Sequence, residues 1–290
     1  MPLTLIKGTF SIQGAAPDGD SIRFIPDDPS LWKKLENRVC TNRLGGAQLR
    51  LDAIDALETH YQPRNGGLGT QRQPEKFGDK AASRLLDLLG FDSTTVKRGR
   101  REIVTDADPD TVPGYILSRF ADIHGRAIAF AFRGNCDRED GDTIFVSQEL
   151  LQQSANYQLV AEGLVYPTFY SKLYLELRQA LTAASGEARS SNSGLWTEDV
   201  TNTGFNLDSL KTITEDVVIL PKLFRRLLGY LAINDRSVDL AGFADFLEAS
   251  NDRVLVLSEG KITGLDNLVE IDDQNLKLTK KPEDLVFMEE

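Results

Sequence analysis

Three short stretches place charged side chains where they could act on an anion. In "PDGDSIRF", Asp18, Gly19 and Asp20 form a turn leading into a strand, a geometry that can aim a carboxylate at a cation. In "RLDAIDALE", Arg50 is followed five residues on by Asp55, and Glu58 comes three beyond that. In "DIHGRAIAFAF", Arg126 follows Gly125 at the start of an apolar strand, where a cation is unexpected. One at a time, these read as a turn, a solvated face and a surface arginine. In combination, if they meet at one site, they have the residue types that hydrolysis of a phosphodiester would use. Two guanidinium forks offset charge on the equatorial phosphate oxygens. A carboxylate within reach could position or deprotonate the attacking water, and carboxylates could also hold a metal ion that would offset charge there.

The elements that must carry these residues are only partly legible. "LRLDAIDALETH", Leu49 to His60, fits a helix with Leu51, Ile54 and Leu57 on one side. It fits equally a strand with Leu49, Leu51 and Ala53 on one face, Arg50 and Asp52 on the other, and Asp55 and Glu58 projecting from its end. Other segments are clearer. "TFSIQGAAPDGDSIRFI" predicts a strand pair, and "GYILSRFADIHGRAIAFAF" predicts further strands. "GDKAASRLLDLLGF" predicts a helix with Ala82, Leu85, Leu86 and Leu89 on one face and Gly90 at its stop. "SKLYLELRQALTAASGEAR" predicts a second. Many short strands with a few helices suggest an α+β domain on a small barrel. "YQPRNGGLGTQRQPEKFG" reads as a mobile loop, and Gly66, Gly67 and Gly69 match no nucleotide-binding fingerprint.

Composition narrows the function classes. The net charge of −11 argues against a general electrostatic grip on nucleic acid, yet its distribution is uneven. Residues 1–199 carry 23 basic and 27 acidic side chains, and residues 200–290 carry 10 and 17, giving −4 and −7. No stretch has the apolar length of a membrane span. No secretory signal is visible, so the cytoplasm is the expected location. Cys40 and Cys136 lack metal-type spacing and are expected as reduced thiols. Two acidic runs are set aside: "DADPDTVPG" fails as an EF-hand, and "NCDREDGDTIF" reads as a hairpin turn.

Composition changes near Gly204, which divides residues 1–199 from an accessory module over 205–290. There "VVILPKLFRRLLGYLAI" predicts a helix with Leu220, Leu223, Phe224, Leu227, Leu228 and Leu231 toward the core and Lys222, Arg225 and Arg226 on the other side. "FADFLEAS" predicts another helix, while "RVLVLSEGKITG", "NLVEI" and "NLKLT" predict short strands. The module could mediate self-association or dock a protein partner. Alternatively its acidity could restrain the first part, in which case deleting residues 205–290 is expected to raise activity on DNA.

In order and spacing, the Asp-Gly-Asp turn, the Arg50, Asp55 and Glu58 stretch, the Gly125-Arg126 strand, "LVAEGLVYPTFY" and "EARSSNSGLWTED" resemble the staphylococcal nuclease (thermonuclease) family from about Thr9 to Asp199. The resemblance implies a five-stranded OB-type β-barrel with packed helices, and a strand at Leu49. It implies a calcium-dependent nuclease cutting DNA and/or RNA with little sequence specificity and leaving 3′-phosphates. It also implies Asp20, Asp55 and the Ala56 carbonyl as calcium ligands, with another divalent ion as the substitute. Arg50 and Arg126 are implied as phosphate clamps, Glu58 as the residue acting on water, and Phe169 and Tyr170 as an aromatic face for the nucleotide. Departures are Ser21 for threonine, Leu57 for proline, and Ile123 and His124 for lysine and tyrosine. The alternative is a nuclease-fold module without catalysis that binds nucleic acid or a protein.

Overall fold

The computed structural model describes residues 2–63 and 67–288; Gly66 lies outside them. Strand β1 (Leu3–Ser11) runs antiparallel to both β2 (Ser21–Pro26) and β4 (Thr111–Ala121). β2 pairs with β3 (Ala47–Leu51), β3 runs parallel to β5 (Ala127–Arg133), and β5 returns to β4, closing a five-stranded barrel. Glycine permits the closure where strands cross closely. Gly8 and Gly114 are partners in register, and a Cβ on either would overlap neighbouring backbone and a phenylalanine ring. Phe10, Phe24, Leu49, Leu51, Ile116 and Phe130 fill the inner core.

The ambiguous stretch at Leu49 is strand and turn. Leu49 and Leu51 point into the barrel while Gln48 and Arg50 alternate to its outer side. The chain then reverses through Asp52 and Ala53, the latter at φ 67°, and continues as the short strand Ile54–Asp55. Tertiary partners stabilise this path over the helix. The Asp52 amide donates to the Ala129 carbonyl, and the buried Asn156 side chain donates to the carbonyls of both Asp52 and Ala129.

Helix α1 (Glu75–Leu89) buries Phe77, Ala81, Ala82, Leu85, Leu86 and Leu89, and ends at Gly90 with φ 105°. The short helix Gln148–Gln152 and helices α2 (Ala155–Ala161) and α3 (Leu175–Ser190) follow in the first part, so the chain is α+β around a closed barrel. One local expectation is corrected. The segment after Cys136 does not fold back on β5 as a hairpin; Thr143–Ile144 pairs with β1 instead. Both cysteines are free. Among the described residues, no helix is long and apolar enough to cross a membrane.

Beyond Gly204, helix α4 (Pro221–Ile233) has proline in its first turn and buries Leu223, Phe224, Leu227, Leu228 and Leu231. After the helix Phe243–Ala249 come strands Arg253–Val256, Lys261–Gly264, Val269–Asp272, Asn275–Leu278 and Leu285–Phe287. Leu285–Phe287 lies antiparallel to Arg253–Val256 and parallel to Phe169–Tyr170, so one sheet takes strands from both sides of Gly204. The apolar core is likewise shared. Leu57, Phe77, Tyr166, Leu195 and Trp196 belong to the same cluster as Phe205, Phe224, Leu227 and Phe287. Removing residues 205–290 would therefore bare a broad apolar surface on the barrel part.

Candidate active site

Asp20, Arg50, Asp55 and Glu58 come together on the outer side of the barrel, at the end of β3. Arg50 is antiparallel partner to Ser21, which brings it beside Asp20. Its Nη1 donates to Asp20 Oδ2 at 3.4 Å and its Nη2 to Asp55 Oδ1 at 3.0 Å. The Asp20 loop is held close by Gly19, since a Cβ there would overlap the methyl groups of Ala56 and Ala81. Asp55 is placed by backbone pairing of Ile54–Asp55 with Tyr166–Pro167, and the Thr168 amide donates to the Ala53 carbonyl. Ala56 contributes its amide rather than its carbonyl to the network, donating to Asp20 Oδ2 at 3.2 Å.

Glu58 is fixed through Gln73, which sequence reasoning missed. The Gln73 amide donates to the Glu58 carbonyl, its Oε1 accepts from the Glu58 amide, and its Nε2 donates to the Ile219 carbonyl at 2.8 Å. Leu57, the departure from proline, lies in the core cluster shared with the C-terminal part. The turn carrying Glu58 is thus fastened from both directions.

The unforeseen member of the site is Arg225 from α4. Its Nη1 donates to Asp55 Oδ1 at 3.1 Å and to Glu58 Oε1 at 2.6 Å, and its Nη2 donates to Asp55 Oδ2 at 2.7 Å. The Asp55 side chain has no exposed surface, and those of Arg225 and Glu58 are each 18% exposed. Two residues of the same helix face make a second cluster: Lys222 and Arg226 both pair with Asp252. The sequence signal was present in the basic face Lys222, Arg225 and Arg226. Nothing in the helix periodicity says that this face meets the barrel.

The charges are unevenly compensated. Burial alone would push the Asp55 carboxyl up, but Arg225 and Arg50 overcome it and hold the carboxyl far below its usual range. Burial raises Asp20 to about 7 despite Arg50, with the neighbouring Asp18 and Asp55 adding to the rise. Asp18 is raised by burial with Glu58 adding, and Glu58 by burial against the pull of Arg225. Four carboxyl groups therefore face two guanidinium groups.

The other expected site residues lie outside this network. The register of β3 on β5 puts Arg126 level with Gln48, on the same sheet face as Arg50. It turns away to Asp122, whose Oδ2 accepts from Arg126 Nε at 2.7 Å. Phe169 is fully buried in the barrel core and offers no face to a nucleotide, which corrects the stacking role expected for it. Tyr170 is only partly buried. Its ring lies 5.9 Å from that of Phe287, and Arg50, Asp55 and Arg225 all act on its hydroxyl, which burial raises.

Calcium needs several oxygen ligands that can turn toward it. Here both Asp55 oxygens accept from guanidinium groups, and Asp20 Oδ2 accepts from Arg50 and the Ala56 amide. Among the described residues, no group of three His, Cys, Asp or Glu side chains is arranged to hold a metal ion. As packed, these residues do not fit a cation held jointly by Asp20 and Asp55. Neither a protein-family model nor a curated protein matches this sequence.

Proposed function

We propose that the protein is a phosphodiesterase of the staphylococcal nuclease type, with an OB-type barrel, that hydrolyses DNA and/or RNA with little sequence preference and leaves 3′-phosphates. The observation that carries this reading is the convergence of Arg50, Asp20, Asp55 and Glu58 in one bonded network at the end of a barrel strand. Asp55 and Asp20 hold the two ends of the Arg50 guanidinium, which pre-sets a planar fork for an incoming phosphate. Oriented donors of this kind stabilise the charge that develops on equatorial oxygens, and they need no reorganisation at the moment of reaction. Glu58, raised by burial, is a stronger base than a free carboxylate and suits a role on water. Tyr170 is the remaining candidate for contact with the nucleotide. The dependence on calcium or another divalent ion implied by the resemblance belongs to this proposal, and Asp55 could serve as its ligand only with Arg225 withdrawn from it.

A second reading is a non-catalytic module that binds nucleic acid or a protein, and one observation favours it: Arg225 bonds both oxygens of Asp55 and one of Glu58. Cleavage of labelled single- and double-stranded DNA and RNA, with calcium, magnesium or chelator, separates the two. Wild type is expected to cut, and the Arg50→Ala/Glu58→Ala variant to lose at least roughly 10²-fold to 10³-fold of the rate. Absence of cutting by the folded wild-type chain under every metal would leave the binding module as the reading.

A further inference from the structure

We propose that Arg225 is the resident cation of this site, occupying the ground that a divalent ion needs, so that guanidinium and metal bind in alternation. The inference rests on the nuclease reading only in taking Asp55 as a metal ligand.

Three features argue for it. The first is position. A divalent ion on Asp55 would stand about 2.3–2.6 Å from a carboxylate oxygen. Both oxygens already receive Arg225 N–H groups, at 3.1 and 2.7 Å, and Oδ1 receives Arg50 as well. A metal there would press against the guanidinium with like charge. The second is charge. Asp18, Asp20, Asp55 and Glu58 outnumber Arg50 and Arg225, and removing Arg225 would leave one guanidinium for four carboxyl groups. The vacated space would then favour another cation. Third comes anchoring. Leu223, Phe224 and Leu227 lock α4 into the shared core, and Gln73 ties Glu58 to Ile219 just before that helix. The helix therefore stays in place, and release is a motion of one long side chain at a partly exposed edge. The acidic C-terminal part thereby acts on the site through a single positive charge.

Calcium titration calorimetry on the full-length chain reads this without any cleavage. The proteins are wild type, Arg225→Met, Arg225→Lys and Arg225→Met/Asp55→Asn, with folding checked by near-ultraviolet circular dichroism. If the side chain is out of the site in about 1–10% of wild-type molecules, removing it tightens calcium binding by about 10- to 100-fold. Arg225→Lys, a point charge that cannot span Asp55 and Glu58, is expected to fall between wild type and Arg225→Met. The double variant should lose the gain. Calcium affinity in folded Arg225→Met equal to that of wild type overturns the proposal. Should Arg225→Met fold only when calcium is added, the same competition is supported. If it folds under neither condition, Arg225→Lys decides: tighter binding than wild type supports alternation, and unchanged binding overturns it. Tight calcium binding by Arg225→Met without cleavage by any protein would refute the nuclease and leave the competition standing. Cleavage with unchanged calcium affinity would do the reverse.

Discussion

The pairing of Asp55 with Arg225 should be a strong coupling in the molecule, and a double-mutant cycle can measure it. Asp55 has no exposed side-chain surface and Arg225 only 18%, so the pair has interior character. Removing one partner of a buried pair costs roughly 3–5 kcal/mol, because the other charge is left without compensation. In Arg225→Met, Arg50 still donates to Asp55 Oδ1, which puts the loss near the lower end, about 3 kcal/mol. Asp55→Asn leaves Arg225 with Glu58 and Arg50 with Asp20, so its loss should be similar. Glu58 loses Arg225 in both the single and the double variant, and that effect cancels in the cycle. The double variant should therefore be more stable than the sum of the singles predicts, by about 2 kcal/mol. The assay is urea denaturation of the four proteins at pH 7 in chelator, with equal slopes as the check on comparability. Additivity within about 0.5 kcal/mol would mean that the two groups do not sense each other, and would refute the picture of a guanidinium seated in the site.

Two further outcomes follow from the same structure. Asp20 is raised from 3.8 in the unfolded chain to about 7 in the fold, so between those values the folded state binds the extra proton and wild-type stability falls as pH rises. Asp20→Asn should gain stability relative to wild type across that window, and a difference that stays flat from pH 4 to 7 would sink the assignment. The two tryptophans, Trp32 in the barrel cluster and Trp196 in the cluster spanning Gly204, should report one coincident unfolding transition in single-tryptophan variants. Leu57→Ala should lower both midpoints together, with a loss of about 2–5 kcal/mol in unfolding free energy; separated midpoints would show that the C-terminal part unfolds on its own.

Local pattern carried much of the architecture. The strands around Gly125, the amphipathic face of α1 with its glycine stop, and the proline-led α4 were legible because side-chain period and turn chemistry are properties of a few adjacent residues. Asp20, Arg50, Asp55 and Glu58 were legible as candidates for the same reason, their types and spacings standing in two short stretches. Tertiary structure decided the rest. Periodicity could not choose between helix and strand at Leu49; pairing with β5 and the bonds from Asn156 chose the strand. Phe169 looked available and proved to be core, since an aromatic in a short apolar run has no signature of which face it buries. Above all, Arg225 lies 170 residues from Asp55 along the chain. The sequence set its charge and its helix face, but only packing of that helix against the barrel could bring the guanidinium between two carboxylates, because apolar burial is non-directional and names no partner in advance.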